Sequence, residues 1–416
     1  MLILRAKYLL TEPDNVVENG AVLVDGKKIV FAGCFKDVNK NTLCKIINLG
    51  NSAIAPGLIN AHTHLELTSL HNRINYNGNF TDWIRQIINA RKTWTERDYV
   101  LSINEGVSKS IESGTTTVAD STRNSYTCEE SSKSNLRKIV FYELIDFNPH
   151  TAEKTIDNFN KYINDTNNDS TLSLGIFPHS PYTVSKELYK RCGTLSDELN
   201  ILAATHISET NDEIEFLTKG TGNFKALLNN HNMLNNWKHP GLRPVAYLNS
   251  MDILSDNWLL IHCNYTSEDE IEYIKKSNAN IVFCPRSHRY FRHKNHPFHS
   301  FLEHGINVAL GTDSLASNDS LSILDEMKFI YENHNDLKPQ DILYMGTIAG
   351  AIALKLSNKI GRLEPGFEAD ITAIKLPEGD ANNIYDSIFS QKSECIFTMV
   401  SGSVYYDKNK LASSYR

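Results

Sequence analysis

The segment that most constrains this chain is 55–66, which has the sequence APGLINAHTHLE. Residues 58–61 are predicted to form a short buried strand, because they are mostly apolar and follow a Pro-Gly turn signal. His62 and His64 come at the carboxyl end of this strand. Alternate residues of a strand point to the same face, so both imidazoles are expected to face one point in space. Two convergent imidazoles supply half of a metal site.

Beyond this segment the chain alternates apolar runs with helical stretches. Eight runs are predicted to be strands, at 58–61, 116–119, 138–145, 172–178, 202–205, 258–261, 281–284 and 307–311. Helices are predicted between and after them, for example at 81–93, 98–113, 268–275, 322–333 and 339–356. Eight strands alternating with helices predict an α/β fold of the (β/α)8 TIM-barrel type, in which functional groups lie at the carboxyl ends of the strands.

The two chain ends show a different, β-type pattern. Residues 1–56 include a predicted hairpin at 20–34, and residues 360–416 contain further short apolar runs separated by turns. Each end is too small to fold alone, so we expect them to pair into one small β-sandwich domain. The barrel is assigned to 57–359. Within it, 210–257 is predicted to be an insertion over the barrel mouth, because this connection is unusually long.

Composition and charge restrict the partners. The formal net charge is -7, without a long basic run, which argues against nucleic acid and anionic membranes as partners. We find no signal peptide, and no run approaches the roughly 18 apolar residues of a membrane span. The seven cysteines show no C-x-x-C spacing, which favours reduced thiols and a cytoplasmic location. The expected partner is a small-molecule substrate, and a homodimer is left open.

Three more polar residues follow apolar runs, namely His206, His262 and Asp313. Together with the first histidine pair they offer imidazole nitrogens and a carboxylate, a set that suits one catalytic Zn²⁺ or Fe²⁺ with a position left for water. Such an ion lowers the pKa of bound water from about 15.7 to about 7. The strand ends therefore predict a hydrolytic metal centre.

Glu209, three residues after His206 in THISET, is the candidate proton acceptor and donor. If a helical turn begins there, positions i and i+3 share a face and the carboxylate lies beside the metal without binding it. The alternative is a solvated glutamate in the first turn of a helix. His262 would either hydrogen-bond the attacking water or serve as a fourth nitrogen ligand. Asp313, besides binding the metal, would pass a proton to a leaving amine.

Five motifs resemble the amidohydrolase superfamily, in its branch of mononuclear deaminases and chlorohydrolases: APGLINAHTHLE, THISE, LLIHC, NVALGTDSLASN and GRLEPGFEADI. The resemblance, which spans nearly the whole chain, implies four metal ligands: His62, His64, His206 and Asp313. It further implies Glu209 as proton shuttle and His262 as the residue that orients the water. FPHSPYT stands where binuclear relatives carry a bridging lysine, which favours one metal. The implied reaction is hydrolytic deamination of an aromatic ring with release of ammonia.

Candidate substrate-binding residues share positions at the predicted strand mouths: Glu66, Trp83, His179, Arg286, Ser287, His288, Tyr290, Ser317 and Asn318. Segments NGNFTDWIRQI, PVAYLNSMDIL and CPRSHRYF resemble the aminodeoxyfutalosine deaminases of menaquinone synthesis, which implies a 6-aminopurine nucleoside as substrate. Adenosine-type thionucleosides, guanine and triazines stay open. So do hydrolysis of a cyclic amide or of a C–Cl bond, and a binding protein on a barrel scaffold.

A second group of histidines occurs at 293, 296, 299 and 304. Spacing close to three residues would place several of them on one helix face, but Pro297 interrupts a continuous helix there. The sequence therefore disfavours a second metal site at this cluster.

Overall fold

The computed structural model describes residues 1–38, 44–166, 170–230, 233–234, 237–379 and 383–411. The strands, in chain order, are β1 (Leu2–Arg5), β2 (Tyr8–Glu12), β3 (Asn15–Glu18), β4 (Gly20–Asp25), β5 (Lys28–Cys34), β6 (Lys45–Asn48), β7 (Ser52–Pro56), β8 (Leu58–Thr63), β9 (Thr115–Thr122), β10 (Arg137–Leu144), β11 (Leu172–Pro178), β12 (Ala203–Ile207), β13 (Trp258–His262), β14 (Asn280–Phe283), β15 (Val308–Leu310), β16 (Ile371–Lys375), β17 (Glu394–Val400) and β18 (Ser403–Asp407).

The α-helices, in chain order, are α1 (Phe80–Arg91), α2 (Glu96–Glu112), α3 (Ser125–Ser132), α4 (Ala152–Asp165), α5 (Lys186–Leu199), α6 (Asn211–Lys219), α7 (Gly222–Asn230), α8 (Pro244–Asn249), α9 (Glu268–Ser277), α10 (Pro285–Tyr290), α11 (Phe298–Glu303), α12 (Ile323–Asn333), α13 (Pro339–Gly346), α14 (Ile348–Ala353) and α15 (Ile384–Ile388). Short 3-10 helices occur at Phe35–Asp37, Leu65–Leu70 and Pro149–Thr151. No helix among these described residues is both long enough and apolar enough to cross a bilayer.

Strands β8 to β15 form one parallel sheet in which each strand pairs with its neighbours in chain order. The first and last strands meet through a parallel bridge between Thr63 and Asp313. The amide of Asp313 also donates a hydrogen bond to the carbonyl oxygen of His62 at 3.1 Å. The sheet therefore closes around its axis, and the predicted (β/α)8 barrel is confirmed. Helices cover its outer face, which explains why its strands read as continuous apolar runs rather than as alternating ones.

The predicted strand runs all fall on β8 to β15, whereas one predicted helix is wrong. Residues 339–356 form two helices, α13 and α14, that are separated at Thr347 with φ −132° and ψ −85°. The first helix packs tightly against α12, since a Cβ added at Gly346 would lie 2.6 Å from the sulfur of Met327. The break redirects the chain so that α14 packs beneath the barrel, with Gly350 against Ile59 of β8.

The chain ends form two sheets that face each other. One has the strand order β5-β4-β1-β6, and the other has the order β18-β17-β16-β7-β2-β3. Leu4 and Val22 of the first sheet share a buried core with Ile54 and Phe397 of the second. The small β-sandwich expected from both chain ends is thus present, and the predicted hairpin is the antiparallel pair β4–β5.

The long connection between β12 and β13 contains α6, α7 and α8. Residues 231–232 and 235–236 of the predicted insertion lie outside the described residues. From the described part, Leu227 and Leu228 of α7 and Met233 reach the wall of the cavity at the carboxyl end of the barrel.

Candidate active site

Four buried donor atoms meet at the carboxyl ends of β8, β12 and β15. The Nε2 atom of His206 lies 3.2 Å from that of His62 and 3.3 Å from that of His64. The Oδ1 atom of Asp313 lies 3.7 Å from Nε2 of His62 and 3.9 Å from Nε2 of His64. The structure thus brings together the three histidines and the aspartate whose roles the sequence predicted.

This geometry fits one divalent cation. In a tetrahedral site with metal–nitrogen bonds of about 2.0–2.1 Å, neighbouring donors lie roughly 3.3–3.4 Å apart. Burial lowers the pKa of His62 to about 4 and holds the pKa of His206 well below its ordinary value. Neutral imidazoles keep a lone pair for a metal, whereas protonated ones do not.

The Asp313 carboxylate is held by its second oxygen. The hydroxyls of Ser287 and Ser317 donate to Oδ2 at 2.8 and 2.7 Å, which leaves Oδ1 toward the histidines. Burial alone would raise the pKa of Asp313, but the His62 imidazole at 3.7 Å and the other nearby imidazoles outweigh it and lower the pKa. The group is therefore an ionised oxygen ligand with a fixed orientation, as expected where outer partners orient a ligand.

Glu209 lies beside the donor cluster, but the backbone between His206 and Glu209 does not follow the predicted helical path. The residue precedes α6, so the predicted helical turn from His206 is wrong; instead Ser208 adopts a left-handed φ of 49° that turns the chain. The Glu213 carboxylate accepts hydrogen bonds from the amides of Ser208 and Glu209, and Asn264 donates to the carbonyl oxygen of Glu209. These contacts fix the peptide that carries the candidate proton shuttle.

The Glu209 side chain is buried next to two other polar groups. Its Oε1 atom lies 3.5 Å from Nε2 of His262, and Tyr182 donates to its Oε2 atom at 3.5 Å. Burial and then the nearby Asp313 charge raise the pKa of Glu209 well above its ordinary value. A carboxyl group in these surroundings is suited to hold and release a proton.

His262 sits at the end of β13 in an uncommon backbone conformation. Its φ is 75°, and that of the following Cys263 is 52°, both in the left-handed region. His296 donates from Nε2 to the carbonyl oxygen of His262 at 2.7 Å, from a buried position behind it. The His262 imidazole lies within ligand distance of His62 and Asp313, so both predicted roles, ligand and water-orienting group, stay open.

A cavity of about 490 Å³ opens above these residues. Its floor contains His64, His206, Glu209, His262 and Asp313. One wall is apolar, formed by residues from α1, from α7 and from the segment after it: Trp83, Ile84, Ile87, Ile88, Leu227, Leu228 and Met233. A concave apolar site with a few convergent polar groups is the usual form of a small-molecule site.

Three of the predicted substrate residues line this cavity. Trp83 donates from its indole nitrogen to the carbonyl oxygen of Ala316 at 3.2 Å, which fixes its ring. Glu66 is buried and accepts from Arg91 at 2.7 Å. Burial lowers the pKa of His179 to about 4, and its ring centre lies 5.0 Å from that of His206.

The other predicted substrate residues do not reach the cavity wall that the described residues form. Arg286 turns away because it donates to Ser320 and Asp319, and His288 is half-buried beside Phe283 outside the cavity. Ser317, like Ser287, donates to Asp313 instead. Tyr290 donates to a backbone carbonyl oxygen, and Asn318 donates to Thr312 and Glu326.

Sequence reasoning missed several residues of the site. Glu143, at the end of β10, lines the cavity with its Oε1 atom 3.9 Å from Nε2 of His179. Its position near the end of the third barrel strand, in FYELI, could have indicated a site residue. The sequence could also have indicated a structural role for Glu213, since Thr210 and Glu213 form the T-x-x-E pattern of a helix start. Arg123 and Tyr182 gave no pattern in the sequence.

Comparisons with known proteins agree with this architecture. The chain matches the sequence model of the amidohydrolase family over residues 53–405. A 5'-deoxyadenosine deaminase of Methanocaldococcus jannaschii is 30% identical over 383 residues, which are 87% of this chain and 84% of that relative. An adenosine deaminase from Xanthomonas campestris with bound zinc shares the fold, with a TM-score of 0.86 and 21% identity. The match covers 99% of this chain and 96% of that chain. Helicobacter pylori aminofutalosine deaminase in complex with methylthio-coformycin has a TM-score of 0.84 and is 24% identical, with 97% of this chain and 100% of that chain covered.

A closed barrel with a His and Asp donor cluster at its carboxyl end is an arrangement that metal-dependent hydrolases use. Within that class, this chain belongs to the amidohydrolase family. The resemblance inferred from its motifs is therefore confirmed, and the protein is a hydrolase of C–N bonds other than peptide bonds.

Proposed function

We propose that this enzyme removes the exocyclic amine of a 6-aminopurine nucleoside by hydrolysis and releases ammonia. The observation that carries the proposal is the buried Glu209 carboxylate beside four convergent metal donors, at the floor of a cavity with an apolar wall. A relative that is 30% identical over most of its length is a 5'-deoxyadenosine deaminase, which supports an adenosine-type substrate.

The ligand set would hold one divalent cation, for which we propose Zn²⁺, with Fe²⁺ as the alternative. When bound, such a cation activates a water molecule for attack at neutral pH. Glu209 accepts the proton that this water loses and donates it to the ring nitrogen next to the amino-bearing carbon. His262, 3.5 Å from the Glu209 carboxylate, orients the water by a hydrogen bond.

The carbon–oxygen bond forms at the ring carbon that carries the amine. Asp313 then accepts the remaining hydroxyl proton and passes it to the amine. The carbon–nitrogen bond breaks, ammonia leaves, and the purine keeps a 6-oxo group and the proton on its ring nitrogen. Both protons of the water are thus accounted for, one on the ring and one in the ammonia.

For the particular substrate we propose an aminodeoxyfutalosine-like nucleoside, which would place the enzyme in cytoplasmic menaquinone synthesis. The support is the resemblance of NGNFTDWIRQI and CPRSHRYF to those deaminases. The first segment carries Trp83, Ile84 and Ile87 of the cavity wall, whereas the second carries Ser287, which holds Asp313. The apolar wall beside α7 offers room for a substituent on the ribose.

Measuring product release from a panel of substrates tests this proposal: ammonia from the amines, chloride from the triazine and the ring-opened acid from the cyclic amide. The panel contains aminodeoxyfutalosine, 5'-deoxyadenosine, 5'-methylthioadenosine, S-adenosylhomocysteine, guanine, an aryl chloride triazine and a cyclic amide. We expect turnover of the 6-aminopurine nucleosides, with aminodeoxyfutalosine giving the highest kcat/KM. Turnover of the triazine or the cyclic amide, without ammonia from any nucleoside, would favour the alternative hydrolases and overturn the proposal.

A further inference from the structure

We propose a second divalent-cation site on the surface of the barrel, formed by His299, His334 and Asp336. One donor atom from each residue lies within 4.8 Å of the other two. Nδ1 of His299 and Oδ2 of Asp336 are 3.4 Å apart, which is a ligand-to-ligand distance of a tetrahedral centre. None of the three residues takes part in the active site described above.

The imidazoles of His299 and His334 both contact one aromatic ring. His299 belongs to α11, and His334 follows the last residue of α12. The ring of Phe298, which is buried, lies 4.0 Å from the His299 ring and 4.9 Å from the His334 ring between centroids. A cation there would therefore bind side chains whose positions are already restricted, which lowers the entropic cost of ordering the ligands.

The donor set indicates which cations fit. Two imidazole nitrogens and one carboxylate oxygen suit Zn²⁺, Co²⁺, Ni²⁺ or Cu²⁺, and three protein ligands leave a position for water. The Asp336 side chain is exposed, so a cation reaches the site from solvent.

The structure also explains why the sequence disfavoured a second metal site here. In the sequence His299 stands among the histidines at 293, 296 and 304. His293 instead contacts the hydroxyl of Tyr265, and His296 contacts the backbone of His262. The partners of His299 come from the end of a different helix, more than thirty residues later in the chain.

A bound cation would join α11 to the chain that follows α12. Because α11 begins two residues after His296, which contacts His262, the cation would restrict the motion of the segment that carries His296. It would not contact the active site. A ligand that binds only the folded state raises its stability by mass action. We therefore expect excess metal to raise the melting temperature of the enzyme and to leave its turnover unchanged.

The test is equilibrium dialysis of the enzyme, with its resident metal, against buffered free Zn²⁺, followed by elemental analysis. The variants are His334→Ala and Asp336→Asn, and the control is His150→Ala, an exposed histidine outside the cluster. We expect wild type and the control to bind one equivalent more per chain than either cluster variant. The difference is independent of how many ions the active site holds.

Asp336→Asn keeps the test valid if His334→Ala fails to fold, since Asp336 is exposed. The proposal is overturned if wild type and Asp336→Asn bind the same number of equivalents. It is also overturned if excess Zn²⁺ raises the melting temperature of both proteins by the same amount.

Discussion

The two sides of the cavity are built from different parts of the chain, and the sequence predicted all four donors on one side but only Trp83 on the other. The metal-donor side is made of residues at the ends of β8, β12 and β15, where the barrel fixes each position. The apolar side is made of α1 and α7, which lie in connections whose length and path vary. The comparison teaches that a barrel determines where its chemistry is placed, whereas the connecting helices determine what fits beside it.

The largest expected effect falls on the donor side. Glu209→Gln should lower kcat by about 10²- to 10⁴-fold, because the amide neither accepts nor returns the proton. Zinc content by elemental analysis should stay the same, since this carboxylate is outside the proposed ligand set. Glu215→Gln, on the adjoining α6, is the control and should keep wild-type turnover. Near-normal turnover of Glu209→Gln would remove the assigned role.

The hydroxyls behind Asp313 should matter next. Ser287→Ala and Ser317→Ala each remove one hydrogen bond to Oδ2, so the carboxylate loses part of its fixed orientation. Loss of such a partner typically costs about 10- to 100-fold in metal affinity. Competition with a chelator measures the affinity, with Ser108→Ala, an exposed position on α2, as the control. Unchanged affinity in both variants would show that the aspartate is held by its backbone alone.

A smaller effect is expected behind His262. His296→Leu removes the donor to its carbonyl oxygen, and a hydrogen bond worth about 1 kcal/mol corresponds to roughly a fivefold fall in kcat. KM should stay unchanged, because His296 does not line the cavity. His296→Gln, which keeps an N–H donor at a similar position, should restore most of the loss. Equal activity of the Leu and Gln variants would mean that the contact only fills space.

The smallest effect belongs to the apolar side. Ile87→Ala should raise KM about two- to fourfold for a nucleoside with an apolar substituent on the ribose, because this half-buried side chain loses about one CH₂ equivalent of contact with the substituent. Adenosine itself should show little change. Leu101→Ala, an exposed position on α2, is the matched control. An equal rise in KM for both nucleosides would show that the substituent on the ribose does not contact Ile87.

Much of the site was predictable because strand ends are fixed points. His62, His64, His206 and Asp313 followed from apolar runs and the direction of the strands. The predicted route to Glu209 was wrong, since Ser208 enters the left-handed region and no propensity of serine indicates this. Long-range partners decide such details, and here the partners are Glu213 and Asn264.

The polar segment after β14, which forms α10, shows the opposite failure. Its residues looked suited to substrate, yet Arg286 and His288 are outside the cavity, because Arg286 bonds to Asp319 and Ser320 and the His288 ring lies beside that of Phe283. Sequence alone does not show whether a loop faces the mouth or the rim. The leucines of α7 were missed for the same reason, since their apolar pattern is indistinguishable from that of a helix packed in the core.

The central claim is that four residues from distant parts of the chain bind a single ion. A crystal structure of the metal-loaded enzyme, with anomalous data at the zinc edge, tests this claim most directly. We expect one strong peak within about 2.0–2.2 Å of the imidazoles of His62, His64 and His206 and of the Asp313 carboxylate. A peak that leaves out any of these four side chains, or two peaks within this cluster, would contradict the mononuclear centre on which the proposed reaction depends.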